Sequence, residues 1–156
     1  MSSFRLVGLD RAAFAPLFDL DDVQLRAQGA RRHVATAAQG FPCRISLQDA
    51  AVGEELLLLP FEHLAEDSPY RASGPIYVRR NAQPRTLGIG EVPAYVSTRQ
   101  ISLRGYGVRH LMVDAVVCEG KDVAAQIERM FADPKIVYAH LHNARPGCYS
   151  CRAERV

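Results

Sequence analysis

The sequence has 156 residues, of which 23% are charged and 48% hydrophobic, and its formal net charge is +2. A chain of this length buries roughly two thirds of its unfolded surface, so we expect one globular domain over residues 1–156. No apolar run approaches the roughly 18 residues of a membrane span, and a small charge spread along the chain is not typical of nucleic-acid binding. Charged residues interrupt MSSFRLVGLDRAAF, unlike a signal peptide. These features predict a cytoplasmic protein without a membrane or nucleic-acid partner.

Arginine dominates the basic residues, since only Lys121 and Lys135 among the 19 basic side chains are lysine. A guanidinium is planar, always charged and presents a fork of donors that matches carboxylate and phosphate. Arginine enrichment therefore fits anion recognition, although a genome rich in G and C produces the same composition. The informative arginines are those inside strand patterns.

The first half of the chain predicts a strand, two short helices and three further extended segments. The strand covers residues 4–9, the first helix follows Asp10 and is shortened by Pro16, and the second covers residues 21–29. RRHVATA is extended, and CRISLQDA alternates so that Arg44 and Ser46 share one strand face. EELLLLPF is apolar throughout, which indicates a central strand buried on both faces.

The second half of the chain begins with an irregular segment, EHLAEDSPYRASGP, which predicts a long loop before the strand GPIYVRRN. A short helix over VPAYVST precedes two strands, QISLRGYG and LMVDAVVC. KDVAAQIERMFAD has apolar residues at helical spacing, and two strands, IVYAHLHN and CYSCRAERV, complete the chain. The order of elements predicts a mostly antiparallel α+β fold with two short N-terminal helices and one later helix, a barrel-like sheet being one alternative.

The segment HLHNARPGCYSC concentrates two of the five histidines and two of the four cysteines. In a strand, His140 and His142 lie on one face with side chains roughly 7 Å apart, as in metal sites. Adding Cys148 and Cys151 would complete a His2Cys2 zinc site. A two-residue turn before Cys148 instead places Cys151 opposite His142 and Cys148 on the other face. We therefore predict no cofactor, with zinc held by these four residues as the alternative.

The cysteines have two further interpretations. A redox CxxC needs a helix after its first thiol, but only RAERV follows Cys151. Buried apolar packing of both thiols is the alternative. Cys43 precedes Arg44, yet neighbours in a strand point to opposite faces, so Arg44 is free to act elsewhere.

The remaining candidate site combines guanidinium, hydroxyl and imidazole groups from several strands. Such groups converging on one sheet face would form a pocket for a carboxylate or phosphate. The predicted lining is Arg44, Arg71, Arg104, Tyr106, His140 and His142. His140 or His142 would be the general base if the protein is an enzyme, because imidazole changes charge near neutral pH.

Four blocks carry a resemblance to a known family: FPCRISLQDAAVGEELLLLP, SPYRASGPIYVR, RQISLRGYG and VYAHLHNARPGCYSCRAER. In this order they resemble an uncharacterised bacterial family, domain of unknown function 1203, over essentially the whole chain. The family has no assigned activity, so the resemblance transfers no catalytic residue. It implies that a site should be sought in these blocks.

Three hypotheses for function follow. The first is a small-anion-binding domain with an Arg, His and Tyr pocket, which leaves an enzymatic role open. The second is a metal-binding protein that uses the HxH and CxxC residues. The third is a protein-interaction module, for which an oligomer is an open expectation.

Overall fold

The computed structural model describes residues 3–156, and its ten strands form two five-stranded sheets. In chain order the strands are β1 (Phe4–Val7), β2 (Arg31–Val34), β3 (Pro42–Cys43), β4 (Gln48–Asp49), β5 (Glu55–Leu64), β6 (Ala72–Arg79), β7 (Gln100–Tyr106), β8 (Met112–Glu119), β9 (Tyr138–Asn143) and β10 (Tyr149–Arg155). The α-helices are α1 (Asp22–Ala27), α2 (Ala94–Ser97) and α3 (Val123–Phe131), and 3-10 helices cover Arg11–Ala13, Ala15–Asp19 and Gly120–Asp122. No helix in this part of the chain is long and apolar enough to cross a membrane.

The strand order confirms the mostly antiparallel α+β prediction. Sheet 1 has the order β1-β10-β9-β7-β8, and all its neighbouring strands are antiparallel. Sheet 2 has the order β2-β5-β6-β3-β4, with β3 and β6 parallel. β5 pairs with a strand on each side, as its apolar sequence indicates. The described residues form two open sheets and no closed barrel, so the barrel-like alternative is not confirmed.

One face of sheet 1 carries the larger core. Alternation along its strands turns Leu6, Leu103 and Leu141 to this face, where all three are buried. α3 covers them with Ile127 and other apolar residues at helical spacing. The polar side chains that alternate with these apolar residues point to the opposite face of sheet 1, and a site can therefore form there.

Sheet 2 is covered by the segment that follows β1. Phe14, Phe18 and Leu25 pack on Leu57 and Ile76 in a second cluster of buried residues. The second predicted helix is confirmed as α1, where Asp21 and Gln24 form a capping box. The first predicted helix is instead two 3-10 helices, in keeping with Pro16, which lacks an N–H donor within the first turn.

The predicted strand over CRISLQDA is wrong in its middle. Arg44–Leu47 form a tight turn that joins the two-residue strands β3 and β4, and Leu47 has a φ of 53°. Ile45 and Leu47 are apolar because both are buried in this turn, and not because they alternate along a strand. The end of β1 lies against this turn, where a Cβ on Gly8 would stand 2.6 Å from the Ile45 carbonyl oxygen. Arg44 and Ser46 therefore do not share a strand face.

The predicted long loop after EELLLLPF is also shorter than expected. β5 continues to Leu64 and β6 begins at Ala72, so the loop covers only residues 65–71. Leu64 is buried against Tyr106 and Tyr138 of sheet 1. This packing extends the strand and places His63 inside it.

Candidate functional site on the polar face of sheet 1

The polar face of sheet 1 is built by the pairing of β7 with β9. The register sets side chains opposite each other in three rows, Ser102 with His142, Arg104 with His140, and Tyr106 with Tyr138. Same-face neighbours on adjacent strands have Cβ atoms about 5 Å apart, so each row is in contact range. The predicted residues Arg104, Tyr106, His140 and His142 are therefore brought together.

β10 continues two of these rows through a β-bulge. Arg152 lies opposite His140, and Tyr149 lies opposite His142. The register shifts at Ser150, so Cys151 pairs with Leu141 and is buried in the core of sheet 1. The expectation that Cys151 lies opposite His142 is therefore wrong, because the turn covers residues 144–147 and sets Tyr149 opposite His142, after which the bulge places Cys151 opposite Leu141.

His63 reaches the polar face from β5 of sheet 2. Its ring centroid lies 4.9 Å from that of His142 and 6.1 Å from that of His140. The His63 ring also stacks on Tyr149 at 5.4 Å. His63 was not predicted as a site residue, because its segment was expected to be a loop and no local pattern predicts contact between the two sheets here.

His140 lies at the centre of the packed rings. Its centroid is 5.3 Å from Tyr106 and 5.2 Å from both Tyr138 and Tyr149. We call the six rings the ring cluster; they are His63, Tyr106, Tyr138, His140, His142 and Tyr149. Tilted and edge-on contacts of this kind stabilise aromatic packing.

Burial keeps the imidazoles of the ring cluster uncharged at neutral pH. The pKa of His140 is lowered to about 3, mainly by desolvation and to a smaller extent by the neighbouring imidazoles and arginines. Desolvation, followed by the charge of Arg104, lowers the pKa of His142 to about 4, against a hydrogen bond to Gly147 that raises it. The pKa of His63 is also lowered by burial and by Arg104.

The imidazoles have unused hydrogen-bonding capacity. His142 Nδ1 lies 3.0 Å from the Gly147 carbonyl oxygen. His142 Nε2, His140 Nδ1 and His63 Nδ1 are buried and have no hydrogen-bond partner among residues 3–156. A buried polar group without a partner costs about 1–3 kcal/mol, so these three nitrogens make the cluster a candidate functional site.

Two guanidinium groups flank His140 along its row. Arg104 Nε donates to Ser102 Oγ at 3.2 Å, and no carboxylate of residues 3–156 lies within ion-pair distance of Arg104. Arg152 stacks on Tyr138 at 4.0 Å, and its Nε lies 3.2 Å from Glu154 Oε1. Arg104 is therefore the uncompensated charge of the site.

A short polar chain borders the ring cluster. His110 Nδ1 lies 2.8 Å from the Tyr138 hydroxyl, and its Nε2 is 3.8 Å from Glu66. Ser68 Oγ donates to the His110 carbonyl oxygen at 2.7 Å. His110 has a φ of 60°, a backbone conformation that non-glycine residues seldom adopt. His110 was not predicted as a site residue, because it lies in a turn without a strand or helix pattern.

The other two predicted site arginines lie outside the ring cluster. Arg71 is exposed and pairs with Glu62 on the neighbouring strand. Arg44 is buried behind Tyr149, whose carbonyl oxygen accepts a hydrogen bond of 2.8 Å from Arg44 Nε. The structure thus brings four of the six predicted residues together and places Arg71 and Arg44 outside this group.

The four side chains of the zinc alternative are not assembled. Cys151 packs into the core on the face opposite His140 and His142, and Cys148 contacts Arg44. Within residues 3–156, no group of three or more His, Cys, Asp and Glu side chains has a geometry suited to a metal ion. The ring cluster itself therefore does not form a recognised metal site.

The site is thus a ring and guanidinium cluster on a mixed α+β fold with two mostly antiparallel sheets. The chain belongs to the family described as Protein of unknown function (DUF1203), which matches residues 40–155. This confirms the resemblance drawn from the sequence, since all four blocks lie within the matched range. No curated protein and no solved structure matches the chain.

Proposed function

We propose that the protein binds a small anionic ligand at the polar face of sheet 1, between Arg104 and the ring cluster. The observation that carries the proposal is the half-buried Arg104 guanidinium, which has no carboxylate partner and lies in register with His140. A guanidinium shielded from water is costly unless a counter-ion is present, and a carboxylate or phosphate matches its donor geometry.

The imidazoles support the same ligand class. Neutral imidazole offers one N–H donor, and the unpartnered nitrogens of His63 and His140 are free to carry it, whereas His142 already donates from Nδ1 to the Gly147 carbonyl oxygen. Arg104 lowers the pKa of all three, so the local potential is positive. An anion at this position accepts hydrogen bonds and reduces the repulsion among these groups.

The proposed function is ligand binding, and a catalytic role for the histidines is proposed only for the ligand-bound protein. A general base works best when its pKa lies near the operating pH, whereas the pKa of His140 is about 3 and that of His142 about 4 without a ligand. A bound anion raises both values, so a general-base role for His140 or His142 depends on the ligand being present. The cytoplasmic location is part of the proposal, and the four free cysteines fit a reducing compartment.

A thermal-shift titration with inorganic phosphate and with small dicarboxylates tests the proposal. A ligand at 100 times its dissociation constant should stabilise the protein by about 2.7 kcal/mol. The variant Arg104→Gln should lose this shift, whereas Arg109→Gln, which removes an exposed arginine outside the cluster, should keep it. A shift that is the same in both variants, or absent with every anion, would contradict the proposal.

A further inference from the structure

A second candidate site lies in a cleft between the sheets, which we call the inter-sheet cleft. Its volume is about 870 Å³, and residues of both sheets line it. Leu58, Pro75 and Tyr77 of sheet 2 supply an apolar wall. The cleft is also lined by polar side chains, which include Arg44, Asn143, Arg145 and Cys148. The volume suits a ligand of small-peptide size.

Arg44 supplies a buried positive charge to the lining of the cleft. The side chain is only 1% exposed, and it donates to the carbonyl oxygens of Tyr149 and Pro42 at 2.8 and 2.7 Å. Its third hydrogen bond, from Nη2, reaches Cys148 Sγ at 3.0 Å, and no carboxylate of the described chain pairs with it. A charged donor at this distance binds a thiolate more strongly than a thiol, and the thiolate is the nucleophilic form of cysteine.

Asn143 gives an independent indication of a ligand. The residue lines the cleft and is 4% exposed, yet its Oδ1 has no hydrogen-bond partner among residues 3–156. Its Nδ2 lies 3.8 Å from Cys148 Sγ, so the free oxygen is an acceptor placed beside the thiol. Arg145 also lines the cleft, is exposed and forms no ion pair with any residue of the described range 3–156.

We propose that Cys148 is a nucleophile that undergoes thiol–disulfide exchange with a carboxylate-bearing, peptide-like disulfide bound in the inter-sheet cleft. Cys148 releases its proton to solvent, and its sulfur attacks one sulfur of the ligand. A new S–S bond forms between Cys148 and that half of the ligand, the original S–S bond breaks, and the other half leaves as a thiolate. Arg145 binds a ligand carboxylate, and Asn143 Oδ1 accepts a ligand N–H.

The chain carries its own control thiol in Cys118. Cys118 is half-buried like Cys148, but burial and the carboxylates of Asp122 and Glu119 raise its pKa. Cys43 and Cys151 are 0% exposed, which keeps both from a dissolved disulfide. Cys118 is thus a control thiol of similar exposure in an anionic environment, and the variant Arg44→Lys tests the contribution of the guanidinium itself.

The test is timed incubation of the full chain with oxidised glutathione, followed by mass spectrometry of the intact protein and of its peptides. We expect one glutathione adduct, at Cys148, formed at least about 10 times faster than any adduct at Cys118. The cationic disulfide cystamine should react more slowly than oxidised glutathione. Equal rates at Cys148 and Cys118, or faster reaction with cystamine, would overturn the proposal.

Two variants separate the roles of the arginines. Arg145→Gln should reduce the preference for oxidised glutathione over cystamine while the reaction with a small neutral disulfide keeps its rate. Arg44→Lys should slow all three reactions, and circular dichroism checks its fold because Arg44 is buried. An unchanged preference in Arg145→Gln would overturn the assigned carboxylate contact. Arg104→Gln should leave these rates unchanged, so this proposal and the anion site fail independently.

Discussion

Arg99 and Asp49 form a bidentate ion pair that joins the segment before β7 to β4 of the other sheet. Arg99 Nη1 and Nη2 lie 3.0 and 2.5 Å from the two carboxylate oxygens of Asp49. The side chains are only 18% and 13% exposed, so solvent screens the pair weakly. The pair therefore links sheet 2 to the start of β7 in sheet 1 beside the inter-sheet cleft, which Arg99 also lines.

Removing one charge of this pair should destabilise the protein. We expect Asp49→Asn to lower the free energy of unfolding by about 1.5–3 kcal/mol, because the shielded Arg99 guanidinium loses a charged partner. Urea unfolding measures the change. The control is Asp114→Asn, which breaks a more exposed pair with Arg129 and should cost at most about 1 kcal/mol. Equal losses in the two variants would contradict this account.

Gly120 should not tolerate a side chain. A Cβ at this position would lie 2.0 Å from the Val96 carbonyl oxygen and 2.5 Å from that of Arg99, and both are backbone atoms. We expect Gly120→Ala to cost at least about 3 kcal/mol, measured by thermal unfolding. Gly74→Ala is the matched control, because nothing lies within 4 Å of its added Cβ. A similar melting temperature for both variants would refute the close approach.

Stability should fall as the pH is lowered from about 6.5 to 4. His140 and His142 stay neutral when folded, with pKa values of about 3 and 4, whereas the unfolded chain binds their protons below the ordinary value of 6.5. Each group therefore lowers the free energy of unfolding by about 1.4 kcal/mol per pH unit in this window. Unfolding of His140→Gln at several pH values should show a slope reduced by about that amount. An unchanged slope would contradict the low pKa.

Arg104 should control the titration of the ring cluster. Its charge lowers the pKa of His63 and of His142. We expect Arg104→Gln to raise both pKa values, which NMR titration of the histidine ring protons measures residue by residue. Arg109→Gln, the control used above, should leave them unchanged. The result distinguishes a charge effect from burial alone, since burial of the rings is the same in the control.

Local patterns were sufficient for much of the fold and for one side of the site. Alternation in QISLRGYG and IVYAHLHN correctly places Arg104 and Tyr106 on one face of β7, and His140 and His142 on one face of β9. Predicting which side chains share a face required only the alternation of polar and apolar residues within each strand. The register that pairs the two strands is a tertiary property and was not predicted.

Tertiary packing explains the parts that sequence reasoning missed. His63 comes from the other sheet, and its contact with His142 spans a sequence separation that no local pattern records. The sequence of the turn Arg44–Leu47 alternates like that of a strand, but its apolar residues are buried because distant elements pack on them. This error also hid the contact of Arg44 with Cys148, which exists only because the turn redirects the guanidinium.

The bulge at Ser150 makes the register of β10, more than the identity of its residues, decisive for which face each side chain occupies. One extra residue sends Tyr149 to the ring cluster and Cys151 to the core, although the two would share a face in a regular strand. If Ser150 instead paired opposite Leu141 in a regular strand, Cys151 would lie opposite His140 and every later side chain of β10 would point to the wrong surface. The aromatic ring cluster and the apolar core of sheet 1 therefore both depend on the one extra residue at the bulge.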